Sequence, residues 1–171
     1  MKKLLICTLL FSLTSTFAQT DQKIYDIINA VSADRIKADI KTLTEFGTRN
    51  TFSDTISNTR GIGAARRWIK SEFDKISKEC GNCINTFYQK DLVTKKGNRR
   101  VPHDAWIVNV VAVQKGTKYP NRYIIMSGDI DSRASNTMDF TTDAPGANDN
   151  ASGMAGTIEA ARVLSKYKFE S

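Results

Sequence analysis

The chain has 171 residues, 25 Lys and Arg against 18 Asp and Glu, a formal net charge of +7 and 40% hydrophobic residues. Lys2 and Lys3 contribute to that charge, so the rest of the chain carries +5, spread along its length. The only dense basic run, Lys95, Lys96, Arg99 and Arg100, lacks the interleaved aromatics of a nucleic-acid surface and reads as a solvated hairpin tip, which argues against a nucleic-acid partner.

Lys2 and Lys3 precede an apolar segment over residues 4–17 that closes on Thr16, Phe17 and Ala18. This pattern predicts a secretory signal peptide over residues 1–18, with Cys7 inside its apolar region and too early to take a lipid. No later segment reaches the roughly 20 apolar residues of a membrane span. The expectation is an exported protein, secreted or periplasmic, without a membrane anchor. Residues 19–171 then suffice for one domain, since domains typically run about 100–150 residues.

Two helical patterns come first. Residues 21–30 read as one helix, and Ser32 caps a second in which Ile36, Ile40 and Leu43 share a face before Gly47 ends it; both are expected to be packing elements. Residues 48–59 are polar and aperiodic, hence a loop. A third helix starts at Asn58 or Thr59, with Ile62, Ala65, Ile69, Phe73 and Ile76 on one face and Arg66, Arg67 and Lys70 mostly on the other.

Cys80 and Cys83 form a C-G-N-C sequence with no second C-x-x-C. Redox chemistry or half a zinc knuckle would suit this spacing in a cytosolic protein, but export favours a local disulfide. Residues 84–93 and the valine-rich 105–113 predict a β-hairpin, with a turn at residues 95–100. His103, on the turn before the second strand, reads as an exposed polar residue rather than a ligand.

The stretch 123–164 organises the rest. Tyr123, Ile124, Ile125 and Met126 suit a short buried strand, while Met154, Ile158, Ala161 and Leu164 recur at helical spacing. Between them lies a loop dense in Asp, Asn, Ser and Gly, where open α/β sheets bind ligands. The order of elements predicts an α/β fold, a mixed β-sheet flanked by helices. Asp129 and Asp131 leave one face of an extended segment, and Asp149 arrives from the far end of the loop. Carboxylates brought together repel unless a cation sits among them; a divalent metal resolves this, and Arg133 is a weaker counter-charge. On composition alone these residues also suit a plain turn, and no H-E-x-x-H, G-x-S-x-G or phosphate-binding loop occurs.

At these residues the chain resembles the exported zinc-dependent aminopeptidases of the bacterial leucyl aminopeptidase type, relatives of glutamate carboxypeptidase II and glutaminyl cyclase. The family pattern is a strand ending in G-H-x-D-S, then P-G-A-x-D-N-x-S-G and a helix with E-x-x-R-x-L. Here the matching stretches are SGDIDS at residues 127–132, PGANDNASG at 145–153 and EAARVL at 159–164, with FGTR at 46–49, RGIGAARRWI at 60–69 and NVVA at 109–112 upstream. The resemblance implies that Asp149 bridges two zinc ions and that Asp131 orients the neighbouring ligand and supports catalysis. Asp129 stands where the family has its first histidine ligand. That departure admits an Asp-ligated zinc, an altered metal preference or a weakened site, and we favour the first, since an aspartate oxygen binds zinc at about 2.0–2.2 Å.

The family's general-base glutamate and remaining ligands lie after this helix, so the resemblance implies a C-terminally incomplete catalytic domain of the zinc-exopeptidase-like, phosphorylase/hydrolase-like sandwich. The expected function is that of an N-terminal fragment of a di-zinc aminopeptidase, inactive alone, whose complete form takes peptides with a free N-terminus. Two alternatives stand beside it: a non-catalytic binding module on the same scaffold, and a glutaminyl cyclase-like acyltransferase with a single zinc.

Overall fold

The computed structural model describes residues 21–171 except residue 98; the signal-peptide assignment to residues 1–18 lies outside the described residues. The fold is α/β. Helices α1 (Gln22–Asn29), α2 (Ala33–Glu45) and α3 (Gly61–Glu79) are followed by strands β1 (Ile84–Val93) and β2 (Ala105–Gln114), and helix α4 (Ser152–Leu164) comes last.

Local chemistry explains the helix starts. Asp21 and Ser32 cap α1 and α2, their side chains accepting from Lys23 N at 3.0 Å and Arg35 N at 3.3 Å. The start of α3 differs from the sequence expectation. Arg60 occupies the cap position and makes no side-chain capping bond. The first helical amides are satisfied from the preceding loop and the end of α2: Ile62 N donates to Ser53 Oγ at 2.9 Å, Gly63 N to Asp54 O at 3.0 Å, and Gly61 N to Phe46 O at 3.1 Å. A folded-back loop thus replaces the local Asn or Thr cap.

The core lies between α2, α3, α4 and the base of the hairpin. Leu43, Phe46, Ala65, Ile69, Phe73, Ile76, Ile84, Met154 and Ile158 are all buried in it. The predicted apolar face of α3 is therefore the inward one. Arg66 is a correction: it too is buried, on the flank of that face, and burial lowers its pKa, countered by Tyr88. Helix α1 is another, since it buries none of its residues and leaves Ile24, Tyr25 and Ile28 exposed.

Strands β1 and β2 pair antiparallel, in register from Ile84 opposite Gln114 to Val93 opposite Ala105. Asn109 donates across the pair to Gln89 Oε1 at 2.6 Å. Lys70 on α3 reaches Asp74 at 2.8 Å, and Thr86 on β1 donates to the same carboxylate, which fixes the hairpin against the helix. Cys80 and Cys83, joined by a disulfide, close the turn between α3 and β1. After α4 the chain returns beside the end of the hairpin: Thr117 N donates to Phe169 O and Lys118 N to Glu170 O.

The expected central strand is not formed. Residues 123–126 belong to no ladder, and Ile124 and Ile125 are 87% and 85% exposed. Strand structure depends on cross-strand hydrogen bonds and on burial of a side-chain face. Among the described residues β1 and β2 pair only with each other, so this run receives neither. No helix of the described residues is long and apolar enough to cross a membrane.

Candidate metal centre

The candidate site is built from two backbone segments pressed against the start of α4. The first is the extended run 127–132. Gly128 passes so close to α4 that a Cβ there would lie 2.5 Å from Met154 N, which admits only glycine. Ile130 then turns inward onto the core while Asp129 and Asp131 remain exposed on the other side, the alternation expected of extended backbone. The second segment is the kinked turn Ala147–Ala151, entered through Gly146 at φ 49°. Asp149 and Asn150 depart from helical φ/ψ within it, and a cis peptide bond joins them. The turn closes when Ala151 N donates to Gly146 O at 3.0 Å, and α4 begins at Ser152.

Asp129, Asp131 and Asp149 line one open cleft of about 440 Å³, together with Ser132, Arg133 and Gly146. The structure therefore brings all three predicted carboxylates to a common space. Asp131 accepts a hydrogen bond from Thr51 Oγ1 at 3.1 Å, which ties it to the loop after α2. Among the described residues, the side chains of Asp129 and Asp149 accept no hydrogen bond and pair with no cation. Their oxygens are hard donors with free lone pairs, a chemistry that fits a divalent cation. They do not close a coordination sphere alone: among the described residues, no three His, Cys, Asp or Glu side chains converge to hold an ion. The fit is that of part of a ligand set.

Behind the cleft lies a residue that sequence reasoning recorded only as part of the FGTR match. Arg49 is fully buried, and its guanidinium donates to four carbonyls: Leu43 O at 2.7 Å, Ile130 O at 2.8 Å, Pro145 O at 2.6 Å and Gly146 O at 3.1 Å. Burial brings its pKa down to about 10, with Asp131 acting in the opposite direction, so it stays protonated at neutral pH. The invariable charge of arginine suits such a position. Ser132 was likewise recorded only as part of the SGDIDS match. Its hydroxyl accepts from Arg49 N at 3.0 Å and donates to Ala144 O at 2.5 Å, while its own amide donates to Arg49 O at 3.3 Å.

His103 stays apart from the cleft. It meets Phe52 and Phe140 edge-on, with ring centroids 5.7 and 6.4 Å apart.

Residues 109–171 match the model of Peptidase family M28. That segment contains Asp129, Asp131 and Asp149. The chain is also 37% identical over 151 residues to a probable zinc metalloprotease of Pyrenophora tritici-repentis, covering 88% of this chain and 35% of that protein. It is 41% identical over 151 residues to one of Pyrenophora teres f. teres, covering 88% and 31%, and 40% identical over 148 residues to one of Leptosphaeria maculans, covering 86% and 34%. The matches support a zinc peptidase family. The chain spans about a third of the length of these fungal relatives.

Proposed function

We propose that this chain supplies one wall of the catalytic site of a zinc-dependent exopeptidase that removes residues from peptides with a free N-terminus, an aminopeptidase of the leucyl aminopeptidase type. The observation that carries the reading is the pair of carboxylates, Asp129 and Asp149, unpartnered among the described residues and facing one cleft inside the segment that matches Peptidase family M28. Asp149, in the turn just before α4, would hold zinc in the place of the resembled family's bridging carboxylate, and Asp129 would hold it in the place of that family's histidine. Asp131, held by Thr51, orients the Asp129 side of the site and supports catalysis. Zinc held there would supply Lewis-acid activation of a scissile carbonyl and of water. The protein's own part is to aim the carboxylates and to leave the cleft open for an extended peptide end.

The leader pattern at residues 1–18 and the Cys80–Cys83 disulfide support a secreted or periplasmic setting. No nucleic-acid partner is proposed, because the basic residues Lys95, Lys96, Arg99 and Arg100 lie between β1 and β2 without interleaved aromatics. The glutaminyl cyclase-like alternative remains distinguishable by substrate.

The test uses three peptides: one with a free amine, the same peptide N-acetylated, and one beginning with glutamine. For a protein in which this chain is joined to the rest of the catalytic site, the proposal predicts zinc-dependent release of the first residue from the free-amine peptide, loss of that release with a chelator, and no cleavage of the acetylated one. Equal cleavage of both forms, or cyclisation of the glutamine peptide in place of cleavage, would contradict it.

A further inference from the structure

Arg49 is placed to do more than fill the core. Among the described residues its fully buried guanidinium forms no ion pair with a carboxylate, yet it spends its donors on carbonyls from three separate stretches of chain: Leu43 near the end of α2, Ile130 between Asp129 and Asp131, and Pro145 and Gly146 ahead of Asp149. Two of those stretches are the two sides of the acidic cleft. Ser132 repeats the connection at backbone level, since its hydroxyl joins Arg49 N to Ala144 O. Two further bonds complete the lattice, Ala144 N to Gly47 O at 3.0 Å and Ala151 N to Gly146 O at 3.0 Å.

Resting on the metal-site reading above, we infer that Arg49, assisted by Ser132, is a positioning residue that fixes the spacing between the Asp129–Asp131 side of the cleft and the Asp149 side. The chemistry requires arginine in particular. A planar guanidinium presents five donors in a rigid fork and can reach carbonyls on several sides at once, whereas a lysine ammonium has three donors at one point. Buried carbonyls left without donors are costly, so the two loop segments stay where Arg49 can serve them. The carboxylates on those segments are exposed and need such support from beneath, since metal affinity depends on how firmly ligands are pre-aimed.

The test compares the full chain with Arg49→Lys and Ser132→Ala by amide hydrogen exchange and by zinc titration. In Arg49→Lys the amides of Ser132, Ala144 and Ala151 are expected to exchange at least about tenfold faster, with α3 amides such as those of Ile69 and Phe73 unchanged. Zinc affinity should fall by about tenfold or more. Wild-type exchange at the three amides, or faster exchange there with zinc affinity intact, overturns the inference. If Arg49→Lys loosens α3 as well, Ser132→Ala decides, because it cuts the Arg49–Ala144 connection without disturbing a buried charge; unchanged exchange at Ala144 and Ala151 in that variant then overturns the inference. Failure of the wild-type chain to bind zinc would instead remove the metal reading, and the exchange results would judge the spacing role alone.

Discussion

Glu159 shows how a charged residue can be a structural centre. It is 1% exposed, and its carboxylate accepts from Ser32 N at 2.7 Å and from Arg35 at 2.6 and 2.9 Å. Arg162, one turn along α4, reaches Asp39 at 2.6 Å and Glu72 at 3.0 Å, so the network unites α2, α3 and α4. Burial pushes the Glu159 carboxyl up, but the bonds from Arg35 and Ser32 outweigh it and hold its pKa below the ordinary 4.5. Glu72 is held low in the same way, burial being outweighed by Lys75 and Arg162. A carboxyl held low when folded binds fewer protons than in the unfolded chain, so its stabilisation is complete above pH 4.5 and is lost as pH falls through the folded value. Glu159→Ala should cost about 3 kcal/mol in urea unfolding at pH 7, because it strands charged partners. It should also flatten the acid loss of stability below about pH 4.5; an undiminished acid slope would show that the network is not its source.

At the scale of elements, the caps and faces of the helices decide what holds. Ser53 reaches forward to Ile62 N and back to Asn50 O, bonding at 2.9 and 2.6 Å. Ser53→Ala should therefore cost about 1 kcal/mol although it lies outside the helix it caps. Ile69→Ala, at the centre of the buried face of α3, should cost about 2–5 kcal/mol. Chemical denaturation measures both, and a Ser53→Ala protein as stable as wild type would show that α3 needs no cap from the loop. Sequence periodicity located α2, α3, α4 and the hairpin because each buries a face whose spacing is set by its own geometry. It did not locate the α3 cap, since Ser53 acts across a loop. It overreached at residues 123–126, where four apolar residues fit a strand but the ladder that would confirm one is a non-local matter.

At the scale of the whole molecule, the site was legible in part for the same reason. Asp129, Asp131 and Asp149 stood out because turn chemistry and alternation are local, and the structure sets them around one cleft. Arg49 and Ser132 were not legible as a unit, because the segments they join lie roughly 80 to 100 residues apart in the chain. The Cys80–Cys83 disulfide makes a smaller contribution. It closes a loop of sequence separation 3, so its reduction should cost about 2 kcal/mol or less, read as a fall in the unfolding midpoint under reductant.

The proposed binding of zinc in the acidic cleft through Asp149 and Asp129 is tested most directly by zinc titration of the wild-type chain beside Asp149→Ala. Because these residues are only part of a ligand set, weak zinc binding is predicted for the wild-type chain, with a loss of at least about tenfold in affinity in the variant and the unfolding midpoint of the metal-free protein unchanged. Equal zinc affinity in the two proteins would contradict it.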